Sequence, residues 1–224
     1  MRTRQRGVTL IELMIAITLV AALTVGMLMA LRVGLLTMDK TNHRLEANRR
    51  VVAANQILYR QLGGAMPVVG ACGPVMKGDT QTLRLVSSYS LMEGERGSAH
   101  VLELAVIPSG AGGVRLIVNE TPYVGPSSTA QFCGADPPPA QVTPQSFVLA
   151  DKLAYCRFVY KDSIRESVLS GPWLNAWVKP DFPAAVRVEM APLVADLANL
   201  PLVNVTVPMH VNREVIPPYG DSWN

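Results

Sequence analysis

The sequence predicts an α+β protein, with a long N-terminal hydrophobic α-helix packed on a C-terminal antiparallel β-sheet domain. Three observations predict it. Proline is absent before Pro67, and all 17 prolines stand at or after it. Nothing therefore blocks a helix in the first part of the chain, while the rest is repeatedly interrupted. Residues 8–31 hold one charged side chain in 24, the composition of a membrane helix. From about residue 65 onward, short runs of branched and aromatic residues alternate with Gly, Pro, Asn, Asp and Ser, as strands and turns do.

Residues 1–7 form a short leader that carries Arg2, Arg4 and Arg6. Basic residues beside an apolar span stay inside, so the N-terminus is expected in the cytoplasm. Residues 8–31 form the transmembrane helix. At about 1.5 Å per residue this segment spans roughly 36 Å, enough to cross a bilayer. A secretory signal has a shorter apolar core of about 7–15 residues and a small-x-small cleavage site. This segment is longer and lacks a convincing site. A plain signal anchor is the other reading, and Glu12 counts against it. A carboxylate inside a membrane helix is costly and is normally kept for a partner or a function.

Residues 32–64 continue the helix in amphipathic form. One helix runs from about Thr9 to Leu62, roughly 80 Å long, until Gly63-Gly64 stops it. Met38, Leu45, Val52 and Tyr59 recur every seven residues, with Leu58 and Leu62 nearby. Asp39, Lys40, Arg44, Glu46, Arg49 and Arg50 take the other side. This reads as a helix lying on its own domain with its charges in solvent.

Residues 65–224 form the globular domain. Strands are expected at 82–88, 101–107, 114–119, 147–150, 153–160, 185–190 and 202–207. Val186-Arg187-Val188-Glu189-Met190 and Val203-Asn204-Val205-Thr206-Val207 alternate cleanly, so each has one buried and one wet face. Residues 122–144 hold six prolines and read as a long irregular loop. The stretch from Pro217 begins a loose tail.

Charge excludes one large class of partners. Without the leader, 17 basic residues face 17 acidic ones, and no basic stripe with interleaved aromatics favours nucleic acid. Catalytic and metal motifs are absent. His43, His100 and His210 are isolated, and neither a G-x-S-x-G nor a P-loop occurs. No cofactor is expected, and an enzyme is not. The three cysteines match no zinc or redox spacing and allow three pairings, or none. Cys72 and Cys133, each beside a glycine in loop-like sequence, are the preferred disulfide. Cys156 sits in a strand-like run as a buried free thiol.

Arg6-Gly7-Val8-Thr9-Leu10-Ile11-Glu12-Leu13-Met14 resembles the class III signal of type IV pilins and type II secretion pseudopilins. The resemblance implies cleavage between Gly7 and Val8 by a prepilin peptidase on the cytoplasmic side, and N-methylation of Val8. That family usually has Phe where Val8 stands. It also implies that Glu12 is an assembly contact, meeting the free N-terminal amine of a neighbouring subunit. A pair of opposite charges within about 4–6 Å offsets much of the desolvation that either would suffer alone.

A second resemblance lies in the domain. Phe158-Val159-Tyr160-Lys161-Asp162, then Trp173 and Trp177, then Pro183-Ala184-Ala185-Val186-Arg187-Val188 look like the C-terminal half of the J-type minor pseudopilins. Both tryptophans are expected in the core. The resemblance implies a subunit of the pseudopilus tip that starts fibre assembly and helps push folded proteins across the outer membrane. The partners it implies are I- and K-like minor pseudopilins, the major pseudopilin and the inner-membrane assembly platform. The protein would sit in the bacterial inner membrane, single-pass, with its domain in the periplasm. Minor type IV pilins share a similar plan, so pilus assembly, adhesion or DNA uptake is the alternative. A membrane-anchored periplasmic binding protein or enzyme is the rival from outside this machinery.

Overall fold

The computed structural model describes residues 9–94, 96–110, 112–134, 139–162, 171–194 and 204–211. It is an α+β architecture. Among the described residues one α-helix, α1 (Leu10–Gly63) of 54 residues, precedes ten strands. In chain order these are β1 (Val69–Gly70), β2 (Gly73–Pro74), β3 (Lys77–Gly78), β4 (Thr82–Tyr89), β5 (Arg96–Pro108), β6 (Val114–Pro122), β7 (Phe147–Lys161), β8 (Trp173–Leu174), β9 (Ala185–Pro192) and β10 (Val205–Pro208). The chain divides into two compact units, Met1–Asn48 and Arg49–Asn224.

In the first unit the stretch Leu10–Asn42 of α1 is exposed throughout, a property taken up with the candidate site below. In the second unit the last turns of α1 lie on the sheet. Ala54, Leu58 and Leu62 are buried there together with Gln61, and Leu58 and Leu62 join the main core cluster. Of the apolar residues expected at this contact, Leu58 and Leu62 are used, and the seven-residue line is not. Val52 and Tyr59 are 53% and 52% exposed. At about 100° per residue the line through Ala54, Leu58 and Leu62 lies roughly 110° round the helix from Val52 and Tyr59, so when one faces the sheet the other faces away. After Gly63 the chain turns, and Met66 N–H donates to Val86 O at 2.8 Å.

The sheet is antiparallel throughout, in the order β10-β9-β7-β6-β5-β4-β3, with β8 beside β7. It forms because side chains alternate in register. Leu83, Leu85, Leu102, Leu104, Leu116 and Val118 line the face that packs on Leu58 and Leu62. Arg84, Glu103 and Asn119 line up across β4, β5 and β6 on the opposite face. Arg84 donates to Glu103 Oε1 from both Nε (2.9 Å) and Nη2 (2.8 Å), and Asn119 Nδ2 donates to Glu103 Oε2 at 3.2 Å.

The expected strands 147–150 and 153–160 are one bent strand, β7. Asp151-Lys152 reads as a break but serves as a kink. Lys152 adopts a left-handed φ of 54°. Asp151 Oδ1 holds the bend by accepting from Lys152 N–H (2.8 Å) and Ser109 Oγ (2.7 Å). Those hydrogen bonds hold the Asp151 carboxyl below its ordinary value, with the Arg115 charge adding to the effect. Gly113, at φ 70°, closes the β5–β6 turn against this kink, where a Cβ would strike the Leu153 carbonyl.

The sheet curls until the β3–β4 turn reaches the second edge of β7. Phe158 N–H donates to Thr80 O (3.0 Å), Tyr160 Oη donates to Asp79 O (2.9 Å), and Gly78 and Trp177 exchange both backbone hydrogen bonds. Gly78 is required there, since a Cβ would collide with the Tyr160 hydroxyl. β10 begins later than expected, at Val205, and residues 202–203 and the tail from Pro217 lie outside the described residues.

Candidate functional site

Glu12 stands in the first turn of α1. Its backbone N–H donates to Thr9 O at 3.1 Å and lies 3.4 Å from Thr9 Oγ1, and Leu13 N–H also reaches Thr9 O (3.2 Å). Thr9 thus caps the helix, and Thr9-Leu10-Ile11-Glu12 has the order of a capping box. That T-x-x-E signal was present in the sequence and explains why the helix starts where it does. A first-turn carboxylate also meets the positive end of the helix dipole, worth about 0.3–1 kcal/mol. A carboxylate at the centre of a membrane helix costs about 2.5–3.5 kcal/mol on insertion scales. The helix dipole offsets part of such a cost, and an opposite charge can offset the remainder.

Glu12 is surrounded by an unusual surface. The 33 residues Leu10–Asn42 form a helix long and apolar enough to cross a membrane, with none of it buried. Leu10, Leu13, Ile17, Leu23, Met27 and Leu31 are all more than half exposed, on every side of the helix. A helix that is apolar all round belongs in lipid or among other helices. The hydroxyls in this stretch are consistent with that. Thr24 Oγ1 donates to Val20 O (2.8 Å), Thr37 Oγ1 to Val33 O (2.8 Å), and Thr18 Oγ1 to Ile15 O (2.9 Å). Each donor is satisfied within the helix, as a hydrocarbon environment demands. Gly7, Val8 and the three leader arginines lie outside the described residues.

The domain residues singled out from the sequence meet in one corner. Phe158, Tyr160, Trp177 and Val186 are fully buried. β7 and β9 pair in the register Phe158↔Val188 and Tyr160↔Val186, and the Tyr160 and Trp177 rings lie 6.5 Å apart. Burial pushes the Tyr160 hydroxyl well above its ordinary value. Trp177 Nε1–H donates to Asp181 O at 2.7 Å, so its one polar group is satisfied. Trp173 departs from the expectation of a core position. It is half-buried on the rim, with the Arg187 guanidinium 3.9 Å and the Lys161 ammonium 5.4 Å from its ring centroid. It sits on β8, a two-residue edge strand, and Arg187 and Lys161 project from the outer face of β9 and β7.

Cys72 and Cys133 are joined as a disulfide with Cα atoms 5.7 Å apart. Cys156 is a buried free thiol whose titration is pushed up to about 12 by burial. Among the described residues, no group of three His, Cys, Asp or Glu side chains is placed to hold a metal ion. One polar cluster was not anticipated. Glu120 is buried, and it accepts from Gln61 Nε2 (2.8 Å), Ser90 Oγ (2.9 Å), and the N–H groups of Leu91 (2.9 Å) and Met92 (3.2 Å). It ties the last turn of α1 to the β4–β5 turn.

Residues 2–28 match the prokaryotic N-terminal methylation motif. The segment is a type IV pilin-type signal, which implies membrane association and processing by a prepilin peptidase. No curated protein matches the chain.

Proposed function

We propose that the protein is a J-type minor pseudopilin, a structural subunit of the tip complex of a type II secretion pseudopilus. The observation that carries the reading is Glu12, one carboxylate in the first turn of the exposed apolar segment that opens α1, within a methylation motif. The Phe158–Tyr160, Trp173–Trp177 and Val186–Val188 pieces support the J assignment by their order along the chain.

Cleavage after Gly7 removes Arg2, Arg4 and Arg6 and creates a cationic amine at Val8. Methylation leaves that amine charged. α1 then packs among the helices of I- and K-like minor pseudopilins. Glu12 meets the amine of a neighbour, so two groups costly to bury alone are buried as a pair. Because the pair forms at one axial offset only, it sets the register between subunits. The domain lies in the periplasm, an oxidising compartment that permits the Cys72–Cys133 bond. The tip complex then starts a fibre that pushes folded proteins outward.

The test uses the native host. Gly7→Arg should leave the leader attached, and Glu12→Ala should be trimmed normally yet fail to restore secretion in a strain lacking the gene. Normal trimming of Gly7→Arg would overturn the leader assignment. Full secretion by Glu12→Ala would overturn the pairing role. A gene deletion that abolishes surface pili and leaves secretion intact would move the protein to the minor type IV pilins.

A further inference from the structure

Residues 123–134 cross the outer face of the sheet as a strap. Its centre is a 3-10 turn, Pro126–Phe132. The Phe132 ring lies over the Arg84 guanidinium at 4.7 Å, above the Arg84–Glu103 ion pair, whose side chains are only 10% and 11% exposed. Two polar contacts fasten the strap to β1 and the turn after it. Tyr123 Oη donates to Val69 O (2.9 Å), and Ala71 N–H donates to Thr129 Oγ1 (2.9 Å). Clefts of about 330 and 550 Å³ flank the strap, and Phe132 lines both. At its start the strap is also held to β5, where Tyr123 N–H donates to Ala99 O (2.8 Å), and its Thr129 is buried. Its one covalent tie is Cys72–Cys133, at its far end.

We infer that the Cys72–Cys133 disulfide is a latch that keeps this strap over the Arg84–Glu103 pair, and that its reduction frees the strap while the sheet stays folded. Cys72 is exposed and Cys133 half-buried, so an incoming thiolate can reach the bond. Closing the latch takes two protons and two electrons from the two thiols and delivers them to a disulfide-bearing oxidant, which leaves as two thiols. A dithiol reverses the exchange through a mixed disulfide. Cys156 does not compete. It is buried in β7, and a thiol that titrates near 12 supplies little thiolate at neutral pH. The outer face of β4 is thus covered in the oxidised protein and open in the reduced one.

The experiment is hydrogen exchange, read by mass spectrometry, on the full-length protein in detergent micelles before and after dithiothreitol with alkylation. A thiol titration of the protein, denatured without reductant, precedes it and should find one free thiol, Cys156; three would overturn the latch. On reduction, amides of residues 123–134 should exchange about tenfold faster or more, as expected for local opening. Amides of β5 and β6 should stay slow. Unchanged strap exchange overturns the inference. So does acceleration across the whole sheet, which would make the bond a global staple. The Cys72→Ser/Cys133→Ser variant should match the reduced protein, and if it does not fold, the reduction arm decides alone.

Discussion

Glu12 and Glu120 are both carboxylates set among apolar residues, and they are accommodated in opposite ways. Glu120 is buried, and its own chain supplies the donors: one side-chain amide, one hydroxyl and two backbone N–H groups. Glu12 is exposed, and beyond the helix terminus itself the described residues offer it no donor. The difference lies in the surroundings. Glu120 is enclosed by a sheet, a turn and a helix that fold together. Glu12 stands on a lone helix whose neighbours must come from other molecules or lipid. A polar group that its own fold does not satisfy points outward to a partner.

Trp177 and Trp173 repeat the comparison within one motif, and they give the largest predicted effect. Trp177→Ala opens a cavity in the core and should cost about 3–5 kcal/mol. Trp173→Ala removes a rim contact and should stay within about 1 kcal/mol. Urea midpoints of the full-length protein in micelles check both, and equal losses would break the contrast.

Glu120→Ala comes next. It strands Gln61 and the Leu91 and Met92 N–H groups, and should cost about 3 kcal/mol. Glu12→Ala should leave the domain's urea midpoint unchanged and lose only assembly. A domain destabilised by Glu12→Ala would show that the two carboxylates are not opposites.

The smallest effect belongs to Asp151. Its carboxyl is held below the ordinary value of 3.8, chiefly by the Ser109 hydroxyl and the Lys152 N–H. A depressed carboxyl stabilises the fold above its unfolded value and loses that stabilisation as pH falls through the folded one. Asp151→Asn should therefore flatten the decline in stability below pH 3.8 and leave the midpoint's pH dependence unaltered near neutrality. The group is partly solvated, so the change is slight.

Much of the fold was legible because its signals are local. The helix shows in the missing prolines, β9 shows in its alternation, and β4, β5 and β6 show in branched and aromatic runs bounded by turn residues. The misreadings came from longer-range effects. Asp151-Lys152 looks like a turn, and only pairing with β6 and β9 on either side makes β7 one strand. The heptad in α1 misled because its apolar line and the Ala54–Leu58–Leu62 line face different ways, and only docking on the sheet decides which is buried. Glu120 gave no local sign, since Gln61 and Ser90 lie 59 and 30 residues away. Thr9 and Glu12 did carry a signal, three residues apart, in the capping-box order.

The sequence by itself determined the membrane-length helix, the methylation motif, and the α+β order of elements. Each depends on composition or on a short period, which neighbouring residues set among themselves. The tertiary structure alone decided which helical line is buried, that Trp177 enters the core while Trp173 stays on the rim, and which donors surround Glu120. It also decided that the 61-residue span between Cys72 and Cys133 closes to 5.7 Å between Cα atoms. Those outcomes depend on closing long loops, whose entropy is offset only when the whole sheet, its curl and the helix on its face form together.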